Sequence, residues 1–266
     1  MRIVRSSLRK LVRRTAAWVT AGLVAGLLVL VYLALGATSH TVSSRPVEQA
    51  AIQALLTFPG AYSTVASQLL DTGGLFALAF AAAVAGSEWG WGTLKTAVAR
   101  GESRWRYMLG TLAALILAAG VAMLVVYAVG VLAAIGGASL AGLSLAGVSD
   151  SATIATIPST LLHVWLGLAE EMTIGFAVAT LTRSQLAGVG AGIALFFGEQ
   201  FATLILPDVV KFLPFNAASA VVTRANLSGV SPDALPTDQA TVVTVFWFVA
   251  ALLLVAAATE RAEIGS

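Results

Sequence analysis

Residues 87–110 read SEWGWGTLKTAVARGESRWRYMLG, and six charged side chains crowd into them: Glu88, Lys95, Arg100, Glu102, Arg104 and Arg106. Long apolar runs flank the stretch on both sides. Gly90 and Gly92 precede a short helical pattern over Thr93–Ala99. Gly101 is placed to end that helix, and Ser103 to cap the next one. The stretch is too short for a domain and too patterned for a tether. It predicts a cytosolic helix–turn–helix held against a membrane, with a surface for another protein.

Composition agrees. The chain has 266 residues, of which 58% are hydrophobic and 11% charged, and its mean hydropathy is +0.91. A soluble domain carries about 25% charge, so a water-exposed surface cannot be built from this supply. The expectation is a polytopic membrane protein, all-α, whose length suits one bundle without a large soluble domain. Zero cysteines excludes disulfides and thiolate metal sites.

The N-terminus, MRIVRSSLRKLVRR, carries Arg2, Arg5, Arg9, Lys10, Arg13 and Arg14 without an acid, while Ile3, Val4, Leu8, Leu11 and Val12 recur at helical spacing. This predicts an amphipathic interfacial helix over 1–15 on the anionic inner leaflet. The uncharged run that follows is too long for a signal-peptide core, so the first span, 16–37, is expected to be retained. Further spans are predicted at 65–86, 108–135, 157–182, 186–206 and 240–258, making six. A cytosolic loop is expected over 87–107 and an external one over 207–239, the latter with an amphipathic piece from Phe215 to Ala225. Span four is expected to begin beside Pro158, which suits a first helical turn. Gly136-Gly137, Gly142 and Gly147 are expected to turn the tract after 135 into an external loop ending at Asp150.

With six spans and both termini inside, the inner side holds the six N-terminal bases, Lys95, Arg100, Arg104, Arg106, Arg183 and Arg261, twelve in all; the outer side holds Arg45, Lys211 and Arg224. That asymmetry follows the positive-inside rule. A seven-span alternative, with an extra crossing at 136–156, puts Arg183 outside and weakens the contrast only slightly.

The central stretch resembles the first intracellular loop of ABC-2 type permeases, the membrane subunits of ATP-driven exporters. The likeness rests on Glu88, then Gly92-Thr93-Leu94-Lys95, a short helix, and Ser103-Arg104 leading into a span. The basic helix before span one, the tight turn at Arg183-Ser184, and Leu213-Pro214-Phe215-Asn216-Ala217 after span five are similar to elements of that family too. The resemblance implies that this loop is a coupling helix seated on a nucleotide-binding subunit. Thr93, Leu94, Ala97 and Val98 would then contact the ATPase, with Glu88 and Arg104 bracketing the loop and Gly92 allowing the bend. The other reading of these residues is an ordinary loop anchored at the headgroups by Trp89, Trp91, Trp105 and Tyr107.

No Gly-x-x-x-x-Gly-Lys-Ser/Thr phosphate cradle occurs in the sequence. No catalytic residue, metal ligand or cofactor is therefore expected in this chain. ATP and magnesium would be held by a separate ATPase subunit, and a second permease, a copy or a paralogue, would complete the pathway. Gly22/Gly26 and Gly188/Gly192 are expected to serve close helix packing.

Asp71, Glu170, Glu171, Glu199 and His163 fall within predicted spans, where a charge costs about 2.5–3.5 kcal/mol on insertion scales. Glu170, Glu171 and Glu199 are candidates for a translocation pathway or a permease interface. The alternative for Glu170 and Glu171 is a span that starts earlier, near Ser151, with the pair close to the inner surface. The acids also suit an ion-coupled secondary transporter, although no inverted repeat relates the two halves. A Glu-Glu pair further invites comparison with CAAX-type intramembrane proteases, but no arginine follows at the required spacing and neither His40 nor His163 fits the later elements. The substrate is not legible, but walls of Ala, Val, Leu and Gly suit an amphiphile.

Overall fold

The computed structural model describes residues 2–39, 46–90, 92–224 and 234–261, and helices with one 3-10 turn make up all the regular structure among them. The expectations for His40, Arg45, Trp91 and the stretch 225–233 lie outside the described residues, as do the side chains of Arg2 and Arg224. The helices are α1 (Arg2–Arg13), α2 (Thr15–Thr38), α3 (Pro46–Leu56), α4 (Ala61–Gly90), α5 (Thr93–Ala99) and α6 (Arg104–Leu140). After a 3-10 turn at Ala146–Ser149 come α7 (Ser151–Thr182), α8 (Gln185–Ala202), α9 (Pro207–Val210), α10 (Pro214–Arg224) and α11 (Thr237–Glu260).

Five of these, α2, α4, α6, α7 and α11, are long and apolar enough to cross a membrane. The reason is compositional, since charge is nearly absent from their interiors and the backbone must satisfy its own hydrogen bonds in lipid. Their outward faces are apolar, with Trp18, Leu30, Val121, Leu132, Val242 and Leu253 each more than 60% exposed. A water-soluble monomer rarely shows such continuous apolar surface. Helix α8, at 18 residues, would span about 27 Å, and its last turn carries Glu199 and Gln200.

Close backbone approaches at glycine set the packing. A Cβ on Gly137 of α6 would overlap the Tyr32 carbonyl of α2, and one on Gly36 would overlap Gly137. Helix α4 lies along α7, where Gly175 meets the Leu78 backbone. Helix α8 rests on both: Gly188 meets Ala179, Gly192 meets Leu78, and Gly86 of α4 meets the Gln185 backbone. Gly22 and Gly26, by contrast, have nothing within 4 Å, so the packing role expected for them finds no partner within the described chain.

Several boundaries differ from expectation for identifiable reasons. Gly136 and Gly137 do not end α6, which runs on to Leu140; tight packing against α2 offsets their low helical propensity. The break comes at Gly142, with φ +68°. The seven-span alternative thus loses its extra crossing, because the tract is one helix and a short turn. Helix α7 begins at Ser151, the earlier of the two starts expected for it, and not beside Pro158. Asp150 is its N-cap, accepting from the Thr153 N–H at 2.9 Å and the Thr153 hydroxyl at 2.5 Å, and Pro158 sits on an exposed face inside the helix. Helix α4 is longer than 65–86 and carries Glu88 in its last turn. Helix α8 stops at Ala202, four residues short of expectation. The amphipathic piece expected at 215–225 within the external loop is present as α10, but its Phe215, Ala217, Ala218, Val221 and Val222 are buried in the bundle. The apolar face of α1 meets protein as well: Leu11 is buried and Ile3, Val4 and Leu8 pack with it against Met108, Leu112 and their neighbours.

Candidate functional site

One end of the bundle gathers the α1–α2 junction, the end of α4, all of α5, the start of α6 and the α7–α8 turn. Glu88, only 3% exposed, sits at its centre. The Tyr107 hydroxyl donates to Glu88 Oε2 at 2.7 Å, and Lys10 Nζ donates to the Tyr107 hydroxyl at 3.3 Å. Arg14 approaches Glu88 Oε1 at 3.9 Å. The Thr93 hydroxyl donates to the Glu88 carbonyl at 3.2 Å. Four helices, α1, α4, α5 and α6, are therefore tied together within one network, along with the α1–α2 junction. Beside it, the Arg183 guanidinium lies 5.4 Å from the centre of the Trp89 ring, a cation–π contact that fastens the α7–α8 turn to α4.

Helix α5 is bounded by two left-handed glycines, Gly92 at φ +68° and Gly101 at φ +88°, a region that side chains with a Cβ rarely enter. The Gly101 N–H donates to the Val98 carbonyl at 2.9 Å and the Glu102 N–H to the Ala97 carbonyl at 3.2 Å. That pair of bonds is a Schellman motif, so Gly101 ends the helix as expected. Ser103 stands at the N-cap of α6 with extended backbone, but its hydroxyl makes no capping bond, which corrects the role expected for it.

Of the predicted contact residues, Leu94 points inward. It is 2% exposed and packs in the same cluster as Leu11, Tyr107 and Met108, so it is an anchor and not a protruding knob. Ala97 and Val98 are half-buried against that cluster. The exposed face of α5 is Lys95, Thr96 and Ala99, continued by Arg100. Arg104, at the first turn of α6, is half-buried. Tyr107, expected only as a headgroup anchor, is the residue that sequence reading undervalued. Its position among Arg104, Arg106 and Met108 gave no sign of an acidic partner nineteen residues earlier.

The acids form a second group deep in the bundle. Glu170 and Glu171 are 0% and 1% exposed. Among the described residues, neither carboxylate oxygen of Glu170 has a hydrogen-bond partner, nor does Glu171 Oε2. Gly74 of α4 makes room for Glu171, since a Cβ there would overlap its carboxyl group. Glu171 lies within electrostatic reach of Glu170, Asp71 and Glu199. Glu199 Oε2 accepts from both the backbone N–H and the Nδ2 of Asn216, each at 3.1 Å, which fixes the start of α10. The Ser219 hydroxyl donates to Asp71 at 2.8 Å. The earlier start of α7 does not bring the Glu pair toward the α7–α8 turn, because the helix still ends at Thr182. About 17 Å of helix separates the pair from that end at 1.5 Å per residue.

Residues 60–264 match the model of a family described as "Protein of unknown function (DUF2705)". No curated protein matches the chain.

Proposed function

We propose a function for a chain that belongs to the DUF2705 family: it is the permease subunit of an ABC-2 type exporter, driven by a separate ATPase. On this reading α8 is a sixth span beside the five apolar helices, and both termini face the cytosol. The membrane is the cytoplasmic one, and α1 borders its inner surface. The observation that carries the proposal is α5, a seven-residue helix braced between the ends of two spans by Glu88, Tyr107 and Arg14.

Such a helix transmits force because it is rigidly continuous with its spans. Closure of an ATPase dimer against Lys95, Thr96, Val98 and Arg100 would tilt α4 and α6 as one body. The buried Leu94 keeps α5 from sliding on its base. Basic residues gathered at this end fit both the positive-inside rule and an acidic groove on a partner. Hydrolysis, ATP and magnesium belong to that partner, and a second permease, a copy or a paralogue, faces this one across the pathway.

The test is purification of the complex from native membranes. A soluble subunit bearing a phosphate-binding loop should accompany the wild-type chain and be lost from Val98→Asp, while the variant still inserts. Recovery of no ATPase with the wild-type chain would overturn the proposal. A second reading, an ion-coupled carrier, is favoured by the unbonded Glu170 carboxylate between packed helices. It requires uptake or efflux driven by a proton or sodium gradient in vesicles that contain this chain alone.

A further inference from the structure

A groove of about 400 Å³ runs along the outside of the bundle between α8 and α11, with α7 as its floor. Ile174, Val178 and Leu254 are among the apolar side chains that form its trough, and Phe215 and Trp247 stand with Glu199 in its lining. Among the described residues that line it, Glu199 is the sole ionisable one. The Trp247 indole is held in place by a 2.9 Å bond from Nε1 to the Phe212 carbonyl. Leu181, Leu195 and Leu254 on the rim are 55%, 49% and 51% exposed, so the groove opens sideways, on the surface that would meet lipid.

We infer that this groove binds hydrophobic monovalent cations, with the positive centre beside Glu199 and Trp247 and the apolar body along α7. Three features select that chemistry. The volume falls within the range of small-molecule sites, about 300–1,000 Å³. Among the described residues the lining offers one carboxylate and no lysine or arginine, so its field favours cations and opposes anions. Aromatic rings beside a carboxylate stabilise a bulky cation that has shed its water. The lateral opening admits a ligand already partitioned into the bilayer. Glu199 also sets the start of α10 through Asn216, so occupancy of the groove bears directly on that helix.

As a statement of substrate class the inference rests on the exporter proposal, but binding itself does not. The test uses the purified full-length chain in nanodiscs and two ions of the same shape and opposite charge, tetraphenylphosphonium and tetraphenylborate, followed by equilibrium dialysis against empty nanodiscs. The phosphonium should bind saturably and the borate should not. Glu199→Gln keeps an acceptor for Asn216 and should weaken phosphonium binding about tenfold or more, the loss of one ion pair at about 1.4 kcal/mol. Gly198→Leu places a side chain where nothing lies within 4 Å; it should block the groove without touching the carboxylate. Equal binding of the two ions, or unchanged phosphonium binding in both variants, would overturn the inference. If the phosphonium binds but no ATPase co-purifies, the exporter proposal fails and the site stands. If the ATPase co-purifies and the phosphonium does not bind, the site alone fails.

Discussion

Glu88 shows how much one side chain can organise. Buried carboxylates are costly unless hydrogen-bonded, and this one has Tyr107 at 2.7 Å with Arg14 nearby. Tyr107→Phe removes the donor and leaves the carboxylate in place, a change that should cost about 1–3 kcal/mol. Thermal unfolding in detergent measures it, and an unchanged midpoint would mean the bond contributes nothing. Gly74 is the matching case in the bundle interior. Gly74→Ala should destabilise by about 1–3 kcal/mol through overpacking against Glu171, and Glu171→Ala in the same chain should restore most of the loss, a coupling that a double-mutant cycle reads directly. Neither partnership was visible in the sequence. Glu88 stood out there as part of a family-like motif and Glu171 as an acid in an apolar run. What each one touches is fixed by how helices cross, which residue order alone does not reveal.

At the scale of elements, α5 and α7 behave differently from their sequence readings, and the differences sharpen the experiments. Leu94 and Val98 sit one turn apart on a short amphipathic pattern, which suggested two equivalent contact residues. Packing separates them: Leu94 is interior and Val98 half-exposed. Leu94→Asp should therefore lower yield and thermal stability, whereas Val98→Asp should leave both near wild type and abolish ATPase association. Equal loss of stability in the two would contradict this division. Helix α7 starts at an Asp150 cap whose carboxyl is held below the usual aspartate range, first by the Thr153 hydroxyl and then by the Thr153 N–H. A depressed carboxyl supports its helix above the unfolded value, about 3.9, and loses that support as pH falls through the folded value. Asp150→Ala should thus lower the melting temperature at pH 7 and lower it less once the pH falls below the folded value of this carboxyl, as paired melting curves would show. The sequence offered two starts, beside Pro158 because proline suits a first turn and near Ser151, and the helix takes the second. The Asp150–Thr153 cap decides between them, and its pattern was present at the end of the stretch read as loop.

For the whole molecule, hydropathy made the five apolar helices legible, since each needs only a long run without charge. The course of the chain around them was less so. Helix α8 is short and ends in polar residues, the apolar face of the amphipathic α10 is buried in the bundle, and the apolar side of α1 packs on α6. All three are tertiary choices between lipid and protein as the partner for an apolar face, and both partners look alike to a sequence. What joins the scales is one end of the bundle, where basic residues, a braced seven-residue helix and the ends of four apolar helices, α2, α4, α6 and α7, meet. On the proposed function this end lies in the cytosol. Because the natural chain has no cysteine, an introduced thiol is a clean reporter. Thr96→Cys on the exposed face of α5 and Ser144→Cys at the opposite end should be exposed to a membrane-impermeant maleimide on intact cells in opposite ways. Ser144→Cys should label at once and Thr96→Cys only after permeabilisation; labelling of Thr96→Cys in intact cells would contradict the account.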